Sequence, residues 1–499
     1  MRKYIHITAA VLVLLLNTTS CKKGFLEVIP KGKLVATKYE DYDLLMNGTT
    51  FYSSGGIGLW QPAIMMGDDV SAENNLLNGS GLEIANLLFQ WKDDIYRPDP
   101  NAYAADDPQF LRSTLGNMYT LNKIIKEVEA STGGTAQQKL TVKAQAMAVR
   151  AFAHFQLINY FGKPYLASTA GTDPGFPIIT EPDINQTDFK RGTVQEMYDF
   201  ITTDLLAAIP NLPVQASFPT RWSKPAAEGF LGKVYLFMGK NTEALAMFNA
   251  AFADIAKMTA PPRLYNYNNE FAAGGSFLPC DPIYGCSTPL NNKTDVTESI
   301  VTIFSYAGNY DGNGPGNDFL TITPATKALF DASDLRLNLY TDLQPDQSPN
   351  PGGRLRRFVS PYNFISRIGL ELPDLYLLRA EARARANDLA GAKADVEALR
   401  QNRMPAANAS VPGAIAGNQT ALVKFIIDER IREFAELGYR WWDMRRLSVD
   451  PLFSGQPAAK HIVYDGTAVT AEYTLKPERL TLRIPNLYLN AHPGMANNP

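Results

Sequence analysis

Apolar residues recur along most of this chain at spacings of three and four, the mark of helices that bury one face. Leu111, Leu115, Met118, Leu121, Ile125 and Val128 form one such stripe. A second helix reads through AQAMAVRAFAHFQLINYF, and Gly162 and Pro164 mark its end. A third is predicted from Thr193, a candidate N-cap, to about Ile209, where Pro210 stops it. Two more lie in SKPAAEGFLGKVYLFMG and NTEALAMFNAAFADI, opened by Ser223 before Lys224–Pro225 and divided at Gly239. Another pair lies in LPDLYLLRAEARARANDLAGAKADVEALRQNR, with Pro373 in its first turn and Asn387–Asp388 between its helices. A last helix is expected from about Gln419 to Leu437.

Small residues at Ala226, Ala227, Gly229 and Gly232 permit close helix approach, while Leu231, Val234, Tyr235 and Phe237 supply bulk. Helix, tight turn, helix with this alternation resembles a tetratricopeptide unit. The expected fold is therefore mainly α, a tetratricopeptide-like helical repeat scaffold with long irregular loops and minor β-structure. Its repeats fall mainly in 110–256 and 367–438. Residues 47–81, 261–323 and 341–365 have no such period, and aperiodic segments of this length are usually functional or disordered. Their aromatics, Trp60, Tyr265, Tyr267, Tyr284, Tyr306 and Tyr310, argue for order. Binding surfaces are thus expected in 47–100 and 261–365, on loops over a rigid scaffold.

The N-terminus reads MRKYIHITAAVLVLLLNTTSC, with a short basic start and an apolar run from Ile5 to Leu16. That run is too short to span a bilayer core of about 30 Å, so residues 1–20 are read as a removable signal. Cys21, after Thr18, Thr19 and Ser20, resembles the acylated cysteine of a bacterial lipobox, which implies anchorage to a membrane by lipid. Loss of Arg2 and Lys3 leaves 45 basic against 50 acidic residues, a charge of −5. This mild acidity, without runs of like charge, gives no footprint for nucleic acid. Hydrophobic residues make up 45% of the chain, ample for a large core.

Cys280 and Cys286 remain, in the loop PCDPIYGC. Outside the cytoplasm so close a pair can oxidise, and a disulfide with Tyr284 near the tip of its loop is expected. The alternatives are two free thiols or a metal site, but no histidine stands near and no second cysteine pair exists.

Familiar enzyme signatures are missing. There is no H-E-x-x-H, G-x-S-x-G, G-x-x-x-x-G-K-[ST] or Rossmann fingerprint, and His154 sits in a helical apolar pattern. Asp311 to Asp318 begins like a calcium loop without the right ligand spacing or the closing glutamate, and reads as a flexible turn. Glycoside hydrolysis needs only two carboxylates about 5–10 Å apart, for which Asp68, Asp69 and Glu73 are candidates. No cofactor or metal is expected.

The C-terminal block IIDERIREFAELGYRWWDMRR, Ile426 to Arg446, resembles the signature of the SusD/RagB family of outer-membrane nutrient-binding lipoproteins. Glu429, Arg430, Glu433, Glu436, Gly438, Arg440, Trp441, Asp443 and Arg446 fall on its pattern of a helix followed by a turn. RAFAHFQLINYFGKPYL, RWSKPAAEGFLGKVYLFMGKNTEAL, RIGLELPDLYLLRAEA and LRIPNLYLNAHPGMANNP resemble further landmarks in the same order. The resemblance implies one domain over 21–499 and a non-catalytic surface receptor. It also implies a glycan or other nutrient as ligand and a separate SusC-like TonB-dependent outer-membrane transporter as partner. A surface-anchored glycoside hydrolase or other hydrolase is the alternative. The charged signature is expected to be structural, with Glu429 and Glu433 pairing with arginines that fold back from Arg440 to Arg446. Sugar rings pack on aromatic faces while their hydroxyls need fixed polar partners. Trp60 and Trp91 with Asn74 and Asn75 form one candidate set, and Tyr284 and Tyr310 another.

Overall fold

The computed structural model describes residues 36–53, 61–74, 83–96, 109–183, 185–306, 319–344, 346–358 and 365–499. Cys21, Trp60, Asn75, Tyr310 and the run from Asp311 to Asp318 lie outside the described residues.

The helices follow one another in space as they do in sequence. Helix α1 (Gln109–Glu127) packs on α2 (Ala136–Phe161), α2 on α3 (Val194–Ala208), α3 on α4 (Lys224–Phe237), and α4 on α5 (Asn241–Ile255). Helix α5 packs on α6 (Leu372–Arg385), which opens a second run with α7 (Leu389–Arg400), α8 (Gln419–Phe434) and α9 (Tyr439–Leu447). Residues 256–371 are therefore an excursion from one helical stack, and the mainly α, tetratricopeptide-like scaffold is present.

Local chemistry sets the helix ends. Thr193 accepts the Glu196 N–H at 3.1 Å while Glu196 Oε2 accepts the Thr193 N–H at 2.7 Å, a reciprocal cap. Ser223 caps α4, and Gly239 turns the chain toward α5 at φ +72°. A Cβ on Gly232 would lie 2.6 Å from Phe248 Cε1, so glycine is what lets α4 and α5 close up. Helix α2 starts eight residues before the apolar pattern does, because a capping box between Thr135 and Gln138 carries its solvent-facing first turns. The last predicted helix also differs. It stops at Phe434, where Glu436 and Gly438 at φ +66° and +86° reverse the chain, and the expected R-W-x-D turn is helix α9.

A four-stranded sheet gathers distant parts of the chain. Strand β1 (Val70–Glu73) lies between β2 (Leu320–Ile322), antiparallel to it, and β3 (Lys460–Asp465), parallel to it. Strand β4 (Ala468–Thr474) forms the outer edge beside β3. One hydrophobic core runs from Ala36 to Ile484, and a smaller cluster around Tyr265, Tyr267, Phe277 and Tyr340 fills the excursion. Among the described residues no helix is long and apolar enough to cross a membrane.

Candidate functional site

Backbone pairing draws the flanks of the irregular segments together. Ser53 bridges to Phe304, and the Phe304 N–H donates to the Tyr52 carbonyl at 2.9 Å. Phe304–Tyr306 pairs with Ile365–Arg367, register Tyr306 to Ile365. The Glu73 N–H donates to the Phe319 carbonyl at 2.7 Å, immediately before Asn74. Ser53, Asn74, Tyr306, Phe319 and Ile365 are thus the described neighbours, in sequence, of segments that hold Trp60, Asn75 and Tyr310. Ser53, Phe304 and Arg367, spread over more than 300 positions, thus lie side by side, as do Glu73 and Phe319 in another sheet, which the sequence did not reveal.

A buried cation braces the end of β1. Arg354 forms a two-pronged pair with Glu73, both contacts at 2.8 Å, donates to the Gly466 carbonyl and lies over the Tyr464 ring at 4.1 Å. A forked guanidinium–carboxylate contact fixes direction as well as distance. It holds the end of β1, and hence the partly buried Asn74, against the β3–β4 turn.

Tyr284 lies on a loop closed by two cysteines. Cys280 and Cys286 are joined in a disulfide. Inside the ring, Asp281 Oδ1 accepts the N–H groups of Ile283 and Tyr284, each at 2.8 Å. Gly285 adopts φ +77° and packs so tightly on Phe358 that a Cβ would lie 2.5 Å from its Cγ. Phe358 directly precedes residues 359–364 in sequence. Tyr284 is 45% exposed, so its aromatic face is presented to solvent.

Trp91 is a correction. It is only 5% exposed, its ring stacks on His461 at 3.8 Å, and its indole N–H donates to the Met66 carbonyl at 3.1 Å. Almost none of its ring is left for a sugar to pack on, so Trp91 belongs to the core.

The acidic candidates for hydrolysis are engaged elsewhere. Asp68 takes Arg440 Nε and Nη2 at 2.5 and 3.0 Å, Asp69 accepts the Glu436 N–H at 2.8 Å, and Glu73 holds Arg354. Burial pushes the Asp68 carboxyl up, but Arg440 outweighs it and holds it below its ordinary value. Burial dominates at Asp69, pushing its carboxyl up to about 6.

The family signature forms buried ion networks, with partners other than those expected. Glu429 does not pair with Arg440 to Arg446; it binds Arg336 at 2.7 Å, Arg400 at 2.8 Å and Arg432 at 2.7 Å. Glu433 binds Arg336 and Arg403. These side chains of α8 find their partners in the excursion, on and just after α7, and within α8 itself. The second network does link α8 to α9, because Arg430 bridges Asp443 and Asp374, each at 2.7 Å, and Arg446 bridges Glu381 and Asp443. Burial raises the Glu381 carboxyl, but Arg446 and Arg385 prevail and hold it at about 2. Trp441 is fully buried. Sequence reasoning missed Arg336, Arg400, Arg403 and Asp374, which no local spacing connects to the signature.

The family model for starch-binding proteins associating with the outer membrane matches residues 83–236, and that for the SusD family matches 367–499. Together they cover more than half of the chain and bracket the excursion. A SusD superfamily protein from Bacteroides thetaiotaomicron superposes with a TM-score of 0.70 at 18% identity, over 93% of this chain and 100% of its own. A SusD-like carbohydrate binding protein from Bacteroides vulgatus gives 0.63 at 15%, over 92% and 98%. A laminarin binding SusD-like protein gives 0.61 at 19%, over 93% and 100%. No curated protein sequence matches. These folds and signatures define a class of outer-membrane-associated proteins built on tetratricopeptide-like helices. The chain belongs to the SusD/RagB family.

Proposed function

We propose that this protein is a non-catalytic receptor that captures a glycan on its loops and delivers it to a SusC-like TonB-dependent transporter. The observations that support this reading are the exposed Tyr284 on its disulfide-closed loop, and the pairing of Ser53 with Phe304 and of Glu73 with Phe319 next in sequence to the segments that hold Trp60, Asn75 and Tyr310. Aromatic faces and amides drawn from these segments are what pyranose recognition requires. Family membership and the carbohydrate-binding and laminarin-binding relatives support a glycan as ligand. Anchorage through acylated Cys21 would keep the receptor beside its transporter, since two or three acyl chains hold a protein durably where one does not.

Hydrolysis is disfavoured by the engagement of Asp68 and Glu73 with arginines. Incubation of the purified protein with a panel of glycans separates the two readings, because a receptor retains ligand and releases no product. With a bound glycan in hand, Trp60→Ala combined with Tyr284→Ala should weaken calorimetric affinity severalfold. Unchanged affinity would remove these residues from the ligand surface.

A further inference from the structure

A groove of about 320 Å³ runs between the first half of α1, the segment 176–189 and the C-terminal helix Asn486–Ala491. Tyr119, Phe176, Phe189 and Tyr488 wall it with aromatic rings, and its lining is mainly apolar. The walls are braced by contacts of their own. The His492 Nδ1–H donates to the Thr187 carbonyl at 2.9 Å, and its ring meets Phe189 edge to face with centroids 5.3 Å apart. Asn122 on α1 donates to the Ile179 carbonyl at 3.1 Å. Tyr119 is nonetheless 37% exposed, and a Cβ on Gly116 would meet nothing within 4 Å. An apolar groove left open in this way is unfavourable in water until something covers it.

The described chain begins close to this groove. The Tyr42 hydroxyl lies 3.0 Å from the Ala36 carbonyl and 2.9 Å from Glu127 Oε2, so Ala36 is seated against the last turn of α1. Leu115, Tyr119, Asn122 and Lys126 share one face of that helix, which runs from the groove toward Ala36. Tyr119 to Glu127 is about 12 Å along the axis, and residues 30–35 can span about 20 Å. Residues 25–29 therefore have the length to enter the groove. They read FLEVI, so Phe25, Leu26, Val28 and Ile29 bring large apolar side chains. Pro30 biases Ile29 toward extended backbone, the form that lies flat in a narrow groove. Lys22, Lys23, Lys31 and Lys33 flank the segment, and the exposed carboxylates of Glu181 and Asp183 at the rim are of complementary sign.

We propose that this groove is the docking site of the chain's own segment 24–30, which lies in it as a strap with its apolar side chains against the aromatic walls. Docking depends neither on acylation of Cys21 nor on glycan capture. With Cys21 acylated, as proposed above, the strap shortens the free leash between membrane and body from residues 22–35 to residues 22–24. The face formed by α1 and the C-terminal helix is then held beside the bilayer.

Hydrogen exchange on the full mature chain, carrying Cys21→Ser to keep it free of lipid, tests the strap. Amides of residues 24–29 should exchange about tenfold more slowly than in a free peptide of the same sequence. Tyr119→Ala, at an exposed position, and Gly116→Trp, which fills the groove, should each restore the free-peptide rates. Phe25→Ser combined with Leu26→Ser should do the same, and lies in the strap itself should a groove variant fail to fold. Gly116→Cys paired with Leu26→Cys should oxidise to a bond within one chain. Gly413→Cys, on the short helix Gly413–Ala416 where a Cβ also meets nothing, should not bond to Leu26→Cys. Unprotected amides, protection indifferent to these substitutions, or equal bonding at Gly413→Cys would overturn the assignment. A Gly116→Cys bond formed only between two chains would also overturn it, because the groove would then belong to a second copy.

Discussion

Arg440 illustrates how a residue of the signature works. Its guanidinium reaches across more than 370 positions to Asp68, and so ties α9 to the turn before β1. The pair is only partly buried, so its removal should cost about 1–3 kcal/mol, chiefly by stranding Asp68. Arg440→Ala should lower the melting temperature while glycan affinity per folded molecule survives; lost affinity with unchanged melting would make Arg440 a ligand contact. Glu436 works differently. Burial pushes its carboxyl up to about 8, against the opposing pull of Arg357. An unfolded glutamate titrates near about 4.3, so the folded state holds this proton more tightly. The stability gained is full below about pH 4.3 and is lost as the pH rises through about 8. Glu436→Gln keeps an acceptor for the Arg357 N–H, and should flatten the fall in melting temperature between about pH 5 and pH 8. Glu381, held at about 2, has the opposite sign, and its contribution is lost as the pH falls toward about 2.

At the scale of elements, the helices were legible because their signals are local. Caps at Thr193 and Ser223, the break at Gly239 and the apolar stripes all act within a few residues. The α8–α9 reversal was not legible, since it depends on Asp69 from a remote turn capping Glu436. Helix contacts make a further prediction. Gly232→Ala gains about 1 kcal/mol of helix propensity but drives a Cβ to 2.6 Å from the buried Phe248 ring, and overpacking of that kind costs about 1–3 kcal/mol. It should therefore be neutral to destabilising by up to about 2 kcal/mol in denaturant unfolding. Gly116→Ala, with nothing within 4 Å of its Cβ, should stabilise by up to about 1 kcal/mol instead. If both substitutions stabilise equally, close packing is not what selects glycine at 232.

At the scale of the whole molecule, the lipid anchor and the ligand loops belong to one proposed design. Cys21→Ser should move the protein from the membrane fraction to the soluble fraction, with glycan affinity unchanged, as followed by detergent phase partition. Retention in the membrane fraction would point to attachment by other means. Periodicity, capping residues and the ordered landmarks of the chain were enough to determine the helical scaffold and the family, because each is written in residues near one another. The partners of Glu429, the burial of Trp91 and the pairings of Ser53 with Phe304 and of Glu73 with Phe319 were decided only by tertiary structure. Those contacts join positions separated by tens to hundreds of residues, and no spacing rule reaches that far. A tryptophan in a loop has the same letter whether it faces solvent or stacks on His461, and only the fold distinguishes the two.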